Sequence, residues 1–338
     1  LGGMLGIALA YRGWGAMSLV VQQVMAAGLA LLLVVLQSGW LPSLAWRARP
    51  SRYWHDVRQV SVSGILSFAN SNGDSLLVSI FLGPYATGLY NLAKRLTSAV
   101  YLVITASLLR VSLPVFAAAS GKPEQLRQAY LQLLAMMLFL MLPMLLFQAA
   151  LAEPLVATVF GQKWLPASST IAALALLYCL SSVAELNNYV LFALGHSRWP
   201  PLLGILQLSL AVILAACFSQ YGLLAMSLSF AAAYLLMLPW SQHLTCKAMD
   251  LPWTAFLVAL QPVLAGAAAL LLTLYAMARW WQGSAIVLLV LALFAGAIAY
   301  LLPMLLLGRA LRGTAGGFDP LSLLRQLRNL KHRGAAAD

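Results

Sequence analysis

The stretch SAIVLLVLALFAGAIAYLLPMLLL, residues 284–307, runs for 24 residues without a charged side chain. A spanning helix needs about 20 predominantly apolar residues, so this segment matches the hydrocarbon core of a bilayer. Working back along the chain, comparable runs occupy 253–277, 222–243, 201–219, 167–192, 124–148, 86–112, 58–82 and 14–38, and residues 1–11 read as the end of another. Turn residues separate them at Gly83-Pro84, Gly121-Lys122-Pro123, Gly195, Pro200-Pro201, Gly222 and Pro252. The expected fold class is all-α, a polytopic transmembrane helix bundle of nine full spans and one partial span. Residues 151–160 (LAEPLVATVF) are too short to cross and read as a re-entrant or interfacial piece. The chain begins at Leu1 in mid-helix, so the expectation is that its N-terminal part is incomplete.

Composition supports lipid as the principal solvent. Of 338 residues 62% are hydrophobic and 8% are charged, against roughly a quarter charged in a soluble domain. The longest stretch outside the spans, 309–338, is too short for an independent folded domain. With no phosphate-cradling glycine loop, a soluble catalytic or nucleotide-binding domain is excluded. Cys179, Cys217 and Cys246 lie in or beside apolar helices without metal-ligand spacing, and His55, His196, His243 and His332 fall in loops or the tail. Neither a cofactor nor a bound metal is expected.

The net charge of +12 bears on orientation and anionic lipid rather than on nucleic acid. Alternating the loops places fourteen of the twenty basic residues on one side, in the linker 40–57, the short turns and the tail. The positive-inside rule makes that side cytoplasmic, with the C-terminus. The basic amphipathic segment 320–333 (PLSLLRQLRNLKHR) is suited to lying on the membrane surface. Tryptophans gather at span ends, as an interfacial belt requires.

Five charges fall inside spans: Asp74, Lys94, Arg95, Arg110 and Glu185. Intramembrane charges are costly and face a cavity or a partner. Ser63, Ser67, Asn70 and Asp74 recur at helical spacing, as do Lys94, Ser98, Tyr101 and Thr105, flanked by Asn91 and Arg95. A third stripe runs through Tyr178, Ser182, Glu185, Asn188 and Tyr189. Three helices with one wet face each describe the wall of a polar cavity. Lys94 and Arg95, with Asn91, Ser98 and Tyr101, are then candidates to hold an anionic group such as a pyrophosphate. The competing reading pairs Lys94 or Arg95 with Asp74 or Glu185 as a structural lock. Asp74, Glu185, Asn70 and Asn188 are candidates for binding a coupling proton or sodium ion, or for helix–helix hydrogen bonding. Arg110, close to a helix end, is expected to snorkel to the interface.

Several motifs resemble the Wzx-type polysaccharide transporters of the multidrug/oligosaccharidyl-lipid/polysaccharide flippase superfamily. They are GWGAMSLVVQQ (13–23), WRARP (46–50), Asn72-Gly73-Asp74 through FLGPYATGLYNLAKRL (81–96), RVSLPVF (110–116), AEPLVATVFGQKWLPAS (152–168) and ALGHSR (193–198). The resemblance implies two pseudo-symmetric six-helix lobes around a central cationic cavity, often followed by two extra helices. On that plan 1–39 ends the first lobe, 40–57 is the basic inter-lobe loop, and 58–250 is the second lobe. Residues 251–308 supply the extra pair, and 309–338 a cytoplasmic tail. The implied activity is flipping of undecaprenyl-pyrophosphate-linked oligosaccharide across the bacterial inner membrane for surface polysaccharide, alongside polysaccharide assembly proteins. Most of the first lobe has no counterpart here, and rocking one bundle against another needs both.

Two other readings compete. A multidrug exporter of the same superfamily would favour acids and aromatics in its cavity; here the spans carry three basic and two acidic residues. An integral-membrane glycosyltransferase or polymerase would need acid–base residues on a sizeable external loop. The external loops read here are short, and Glu153 is their only acid.

Overall fold

The computed structural model describes residues 2–15, 17–38, 50–119 and 121–310; most side chains of 50–70, Asn70 among them, lie outside that description. The chain divides into two compact units, Leu1–Ile65 and Leu66–Asp338. In the first, α1 (Gly2–Tyr11) and α2 (Met17–Ser38) pack on each other. Positive φ at Gly13 and Gly15 turns the chain between them, and Ser18 Oγ donates to the Gly15 carbonyl at 2.6 Å.

A single helical run, α3 (Pro50–Ala119), follows, broken in its backbone at Gly83 (φ 81, ψ −179). That conformation is essentially confined to glycine. Residues 16 apart on an unbroken helix stand about 24 Å apart, yet the Tyr90 hydroxyl donates to Asp74 at 2.7 Å and Ser75 Oγ to Asn91 at 3.0 Å. α3 is therefore a helical hairpin of two arms, 50–82 and 84–119, folded at Gly83-Pro84. The first arm starts at Pro50, ahead of the expected 58. Proline suits the first helical turn, and the polar residues after it include no helix breaker. No atom lies within 4 Å of a Cβ placed on Gly83 or on Gly88. Gly83→Ala should therefore destabilise by about 1–3 kcal/mol through backbone strain alone, while Gly88→Ala, in regular helix, should cost nothing. Thermal unfolding in detergent compares the two.

The rest of the second unit comprises α4 (Pro123–Ala150), the short α5 (Ala152–Val159), α6 (Ser168–Ala193), α7 (Trp199–Phe218), α8 (Leu223–Ala248), α9 (Trp253–Trp280) and α10 (Ala285–Ala310). At eight residues α5 is about 12 Å long and does not cross. Eight helices among the described residues are long and apolar enough to span a membrane; one of these, Ser71–Ala119, contains the Gly83 turn. The protein is a multi-pass helical membrane protein. α6 packs between α4 and α8, and α9 packs on α4 and α10. The α9–α10 contact is close because Gly266 has no side chain: a Cβ there would stand 2.7 Å from the Tyr300 carbonyl oxygen.

Side chains such as Leu134, Met137, Met141, Ile171, Leu174 and Leu186 fill the core. Lipid tails are as apolar as leucine, so burial alone does not choose partners, and polar contacts between helices add specificity. One such cluster is fully buried. The Tyr130 hydroxyl of α4 donates to Asn187 Oδ1 of α6 at 2.7 Å and accepts from Gln242 Nε2 of α8 at 3.0 Å. Asn187 Nδ2 donates to Gln242 Oε1 at 3.1 Å and to Ser241 Oγ at 3.2 Å. Nearby, Arg127 Nε donates to the Met249 carbonyl at 2.8 Å.

Candidate functional site

Both arms of α3, with α6, α7 and α8, wall an open cavity of about 720 Å³. The second arm presents Lys94, Ser98, Tyr101 and Thr105 to it, the stripe read at helical spacing. The lining continues past that stripe through Leu109 to Arg110. The first arm adds Ser71 and Asp74, α6 adds Tyr178, Ser181, Glu185 and Tyr189, and α8 adds Phe230 and Tyr234. Ser181 takes the lining position expected of Ser182, which is buried and donates to the Cys179 carbonyl.

Lys94 lines this cavity but is engaged. Its Nζ lies 2.6 Å from Asp74 Oδ1, 2.8 Å from the Ser71 carbonyl and 3.4 Å from Ser75 Oγ. An ammonium has three donors, and these contacts account for all of them. Asp74 also accepts from the Tyr90 hydroxyl and from the Ser75 backbone N–H at 2.8 Å. The pair closes the hairpin across its two arms, and its side chains are 18% and 19% exposed.

Glu185 accepts a hydrogen bond from the Tyr101 hydroxyl, joining α6 to the second arm of α3, and the ring of Tyr101 lies 4.9 Å from that of Tyr178. Among the described residues, no cation pairs with Glu185, and no carboxylate pairs with Arg110. Arg110 is exposed and lines the cavity wall. The lining thus holds two basic residues, Lys94 and Arg110, and two acidic ones, Asp74 and Glu185. Only the Lys94–Asp74 charges are mutually paired.

Arg95 is exposed and stands outside the lining, as does Asn91, which accepts from Ser75. The side chain of Asn70 lies outside the described residues. Asn188 lines a smaller cavity of about 200 Å³, which shares Ser181, Glu185, Gln207 and Tyr234 with the larger one. Its Oδ1 is buried without a hydrogen-bond partner. Neighbouring Asn187, which the sequence does not single out, is the residue that joins the buried polar cluster. The signal for Arg110 is present in the sequence: the 94–98–101–105 stripe continues as lining pairs 101/102, 105/106 and 109/110. Among the described residues, no three His, Cys, Asp or Glu side chains come together as metal ligands.

The fold is shared with a known membrane protein. The structure of "Lipid II flippase MurJ, inward closed conformation" superposes with a TM-score of 0.74 at 15% identity, covering 92% of this chain and 66% of that one. The family model described as "Polysaccharide biosynthesis protein" matches residues 1–169, half of the chain. The chain belongs to that family. Its relatives include the teichuronic acid biosynthesis protein TuaB of Bacillus subtilis (strain 168), 26% identical over 164 residues, which are 48% of this chain and 34% of TuaB. The lipopolysaccharide biosynthesis protein WzxC of Escherichia coli (strain K12) is 28% identical over 129 residues, 38% of this chain and 26% of WzxC. The succinoglycan biosynthesis transport protein ExoT of Rhizobium meliloti (strain 1021) is 26% identical over 180 residues, 52% of this chain and 36% of ExoT. The matched regions span about a third of these relatives' length. The resemblance to Wzx-type polysaccharide transporters is borne out.

Proposed function

We propose that the protein acts in moving an undecaprenyl-pyrophosphate-linked oligosaccharide across the bacterial inner membrane for surface polysaccharide, by alternating access, with its C-terminus in the cytoplasm. The observation that carries this reading is the open cavity among the spanning helices, with an arginine that no carboxylate among the described residues pairs, on a wall otherwise rich in hydroxyl groups. A diphosphate needs such a cation, bound through a planar fork, and a glycan needs hydroxyl and carboxyl partners. In this reading Arg110 holds the diphosphate. Ser98 and Tyr101 face the glycan, Lys94 positions Asp74, and Arg95 and Asn91 act from beside the cavity. For Asp74, Glu185, Asn70 and Asn188 the alternative role is binding a coupling ion. The lobes follow the plan 1–39, 40–57, 58–250, 251–308 and 309–338. The family and its transport-named relatives support transport over sugar transfer.

Deleting the gene in its own bacterium tests this. Surface polysaccharide should be lost, and lipid-linked oligosaccharide of full repeat-unit composition should accumulate on the inner leaflet, both reversed by the wild-type gene. Truncated oligosaccharide would favour a glycosyltransferase instead. Normal polysaccharide with no accumulated intermediate would overturn the proposal.

A further inference from the structure

The smaller cavity opens off the larger one at Glu185, whose side chain lines both. Hydroxyl groups of Ser181 and Tyr234 line that junction too, and two acceptors beside them are under-partnered. The Glu185 carboxyl has one hydrogen-bond donor, Tyr101, and no cation among the described residues. Asn188 beside it has a buried amide oxygen with no partner. Gln207, also on the lining, has both ends of its amide committed to the α8 backbone: turned to its satisfied orientation, it donates to the Ala233 carbonyl at 3.2 Å and accepts from the Tyr234 N–H at 3.1 Å. Two under-partnered acceptors with no cation beside them among the described residues favour a ligand that brings donors and no negative charge.

From this we infer that the Glu185–Asn188 side pocket is a sugar subsite that selects an uncharged, hydrogen-bond-donating sugar and rejects a uronic acid. The inference rests on the transport reading above and adds a division of labour to it. Tyr101, the donor to Glu185, stands nine residues before Arg110 on the same helical arm, about 13 Å along its axis. The lipid-linked substrate then places its diphosphate at Arg110 and a sugar close to the diphosphate at the side pocket. The rings of Tyr101 and Tyr178, 4.9 Å apart, line the larger cavity beside Glu185 and offer apolar surface to the neighbouring sugar. A uronic carboxylate in this pocket would meet no cation among the described residues, and an unpaired charge in a poorly solvated site is costly, which makes the discrimination steep.

Three probes test it with the full chain in detergent at neutral pH: undecaprenyl pyrophosphate alone, the same lipid carrying glucose, and the same lipid carrying glucuronic acid. The two sugars differ only at carbon 6, a hydroxymethyl against a carboxylate. The glucosyl lipid should bind at least about tenfold more tightly than the glucuronosyl lipid, a difference well within what one charge contact supplies. The bare lipid should fall between them. Glu185→Gln should bring the two sugar lipids within about threefold of each other, and Asn188→Leu should remove the advantage of glucose over the bare lipid. If wild type binds all three equally, or prefers glucuronic acid, the subsite is refuted while the transport reading stands. If none of the three binds, the transport reading fails and the subsite with it.

Discussion

Arg110→Gln should lower surface polysaccharide by about tenfold to a hundredfold, the cost of removing a charge-assisted hydrogen-bond pair worth about 1.5–3 kcal/mol, with no fall in the amount of protein in the membrane. The protein should be unaffected because Arg110 makes no salt bridge among the described residues and sits exposed on the cavity wall. Among the described residues, its removal orphans no other group. Arg110→Lys keeps the charge but not the fork, and should fall between Gln and wild type. Quantitative immunodetection of the glycan, alongside a membrane blot, reads both quantities. Full polysaccharide output from the Gln variant would remove the diphosphate site from this position.

The second large effect concerns the hairpin pair. Lys94→Met leaves Asp74 with the Tyr90 hydroxyl and the Ser75 N–H but without a cation. Breaking a buried pair by removing one partner costs about 3–5 kcal/mol; since each side chain here keeps nearly a fifth of its exposure, the low end of that range applies. Replacing both, as Lys94→Met with Asp74→Asn, removes the stranded charge as well. The double variant should recover most of the lost stability in a detergent melt and bring export to within about threefold of wild type, as expected when the pair's role is mutual neutralisation. A stable double variant without export would instead put one of the two on the substrate or the coupling ion. Of the two sequence readings of Lys94, an anion site and a lock, the three contacts at its Nζ favour the lock.

Much of this was legible before any coordinates. A bilayer imposes length and hydropathy so strongly that the spans and their turns follow from runs of leucine, alanine and valine interrupted by glycine and proline. Gly83-Pro84 marked the hairpin in that way. The polar stripes were legible because helical period brings residues three and four apart onto one face. Pairing was harder to read. Nothing in the spacing of Asp74, Lys94 and Arg95 says which cation meets the acid; that depends on how the arms align about Gly83. Asn187 and Asn188 are adjacent in sequence but 100° apart around the helix, so one closes a buried network and the other lines a cavity. Arg110 lies near a helix end, which suggests snorkelling, and the cavity lining extends far enough along the arm to include it.

The buried Tyr130–Asn187–Gln242 cluster also bears on motion. Tyr130 lies seven residues after the start of α4, and Asn187 and Gln242 each lie six residues before the ends of α6 and α8. The hydrogen bonds therefore tie three helices together close to one end. On α8 the cavity residues Phe230 and Tyr234 lie away from the tied end, and on α6 they run from Leu177 to Tyr189 and bracket Asn187. With one end riveted, a tilt of α6 or α8 turns about that cluster as a lever turns about its fulcrum. The far tip of α6, at Ser168, stands about 29 Å from Asn187, so a swing of about 10° moves it by about 5 Å while hardly shifting the pinned end. The amides that look like mere glue would then decide which mouth of the cavity widens.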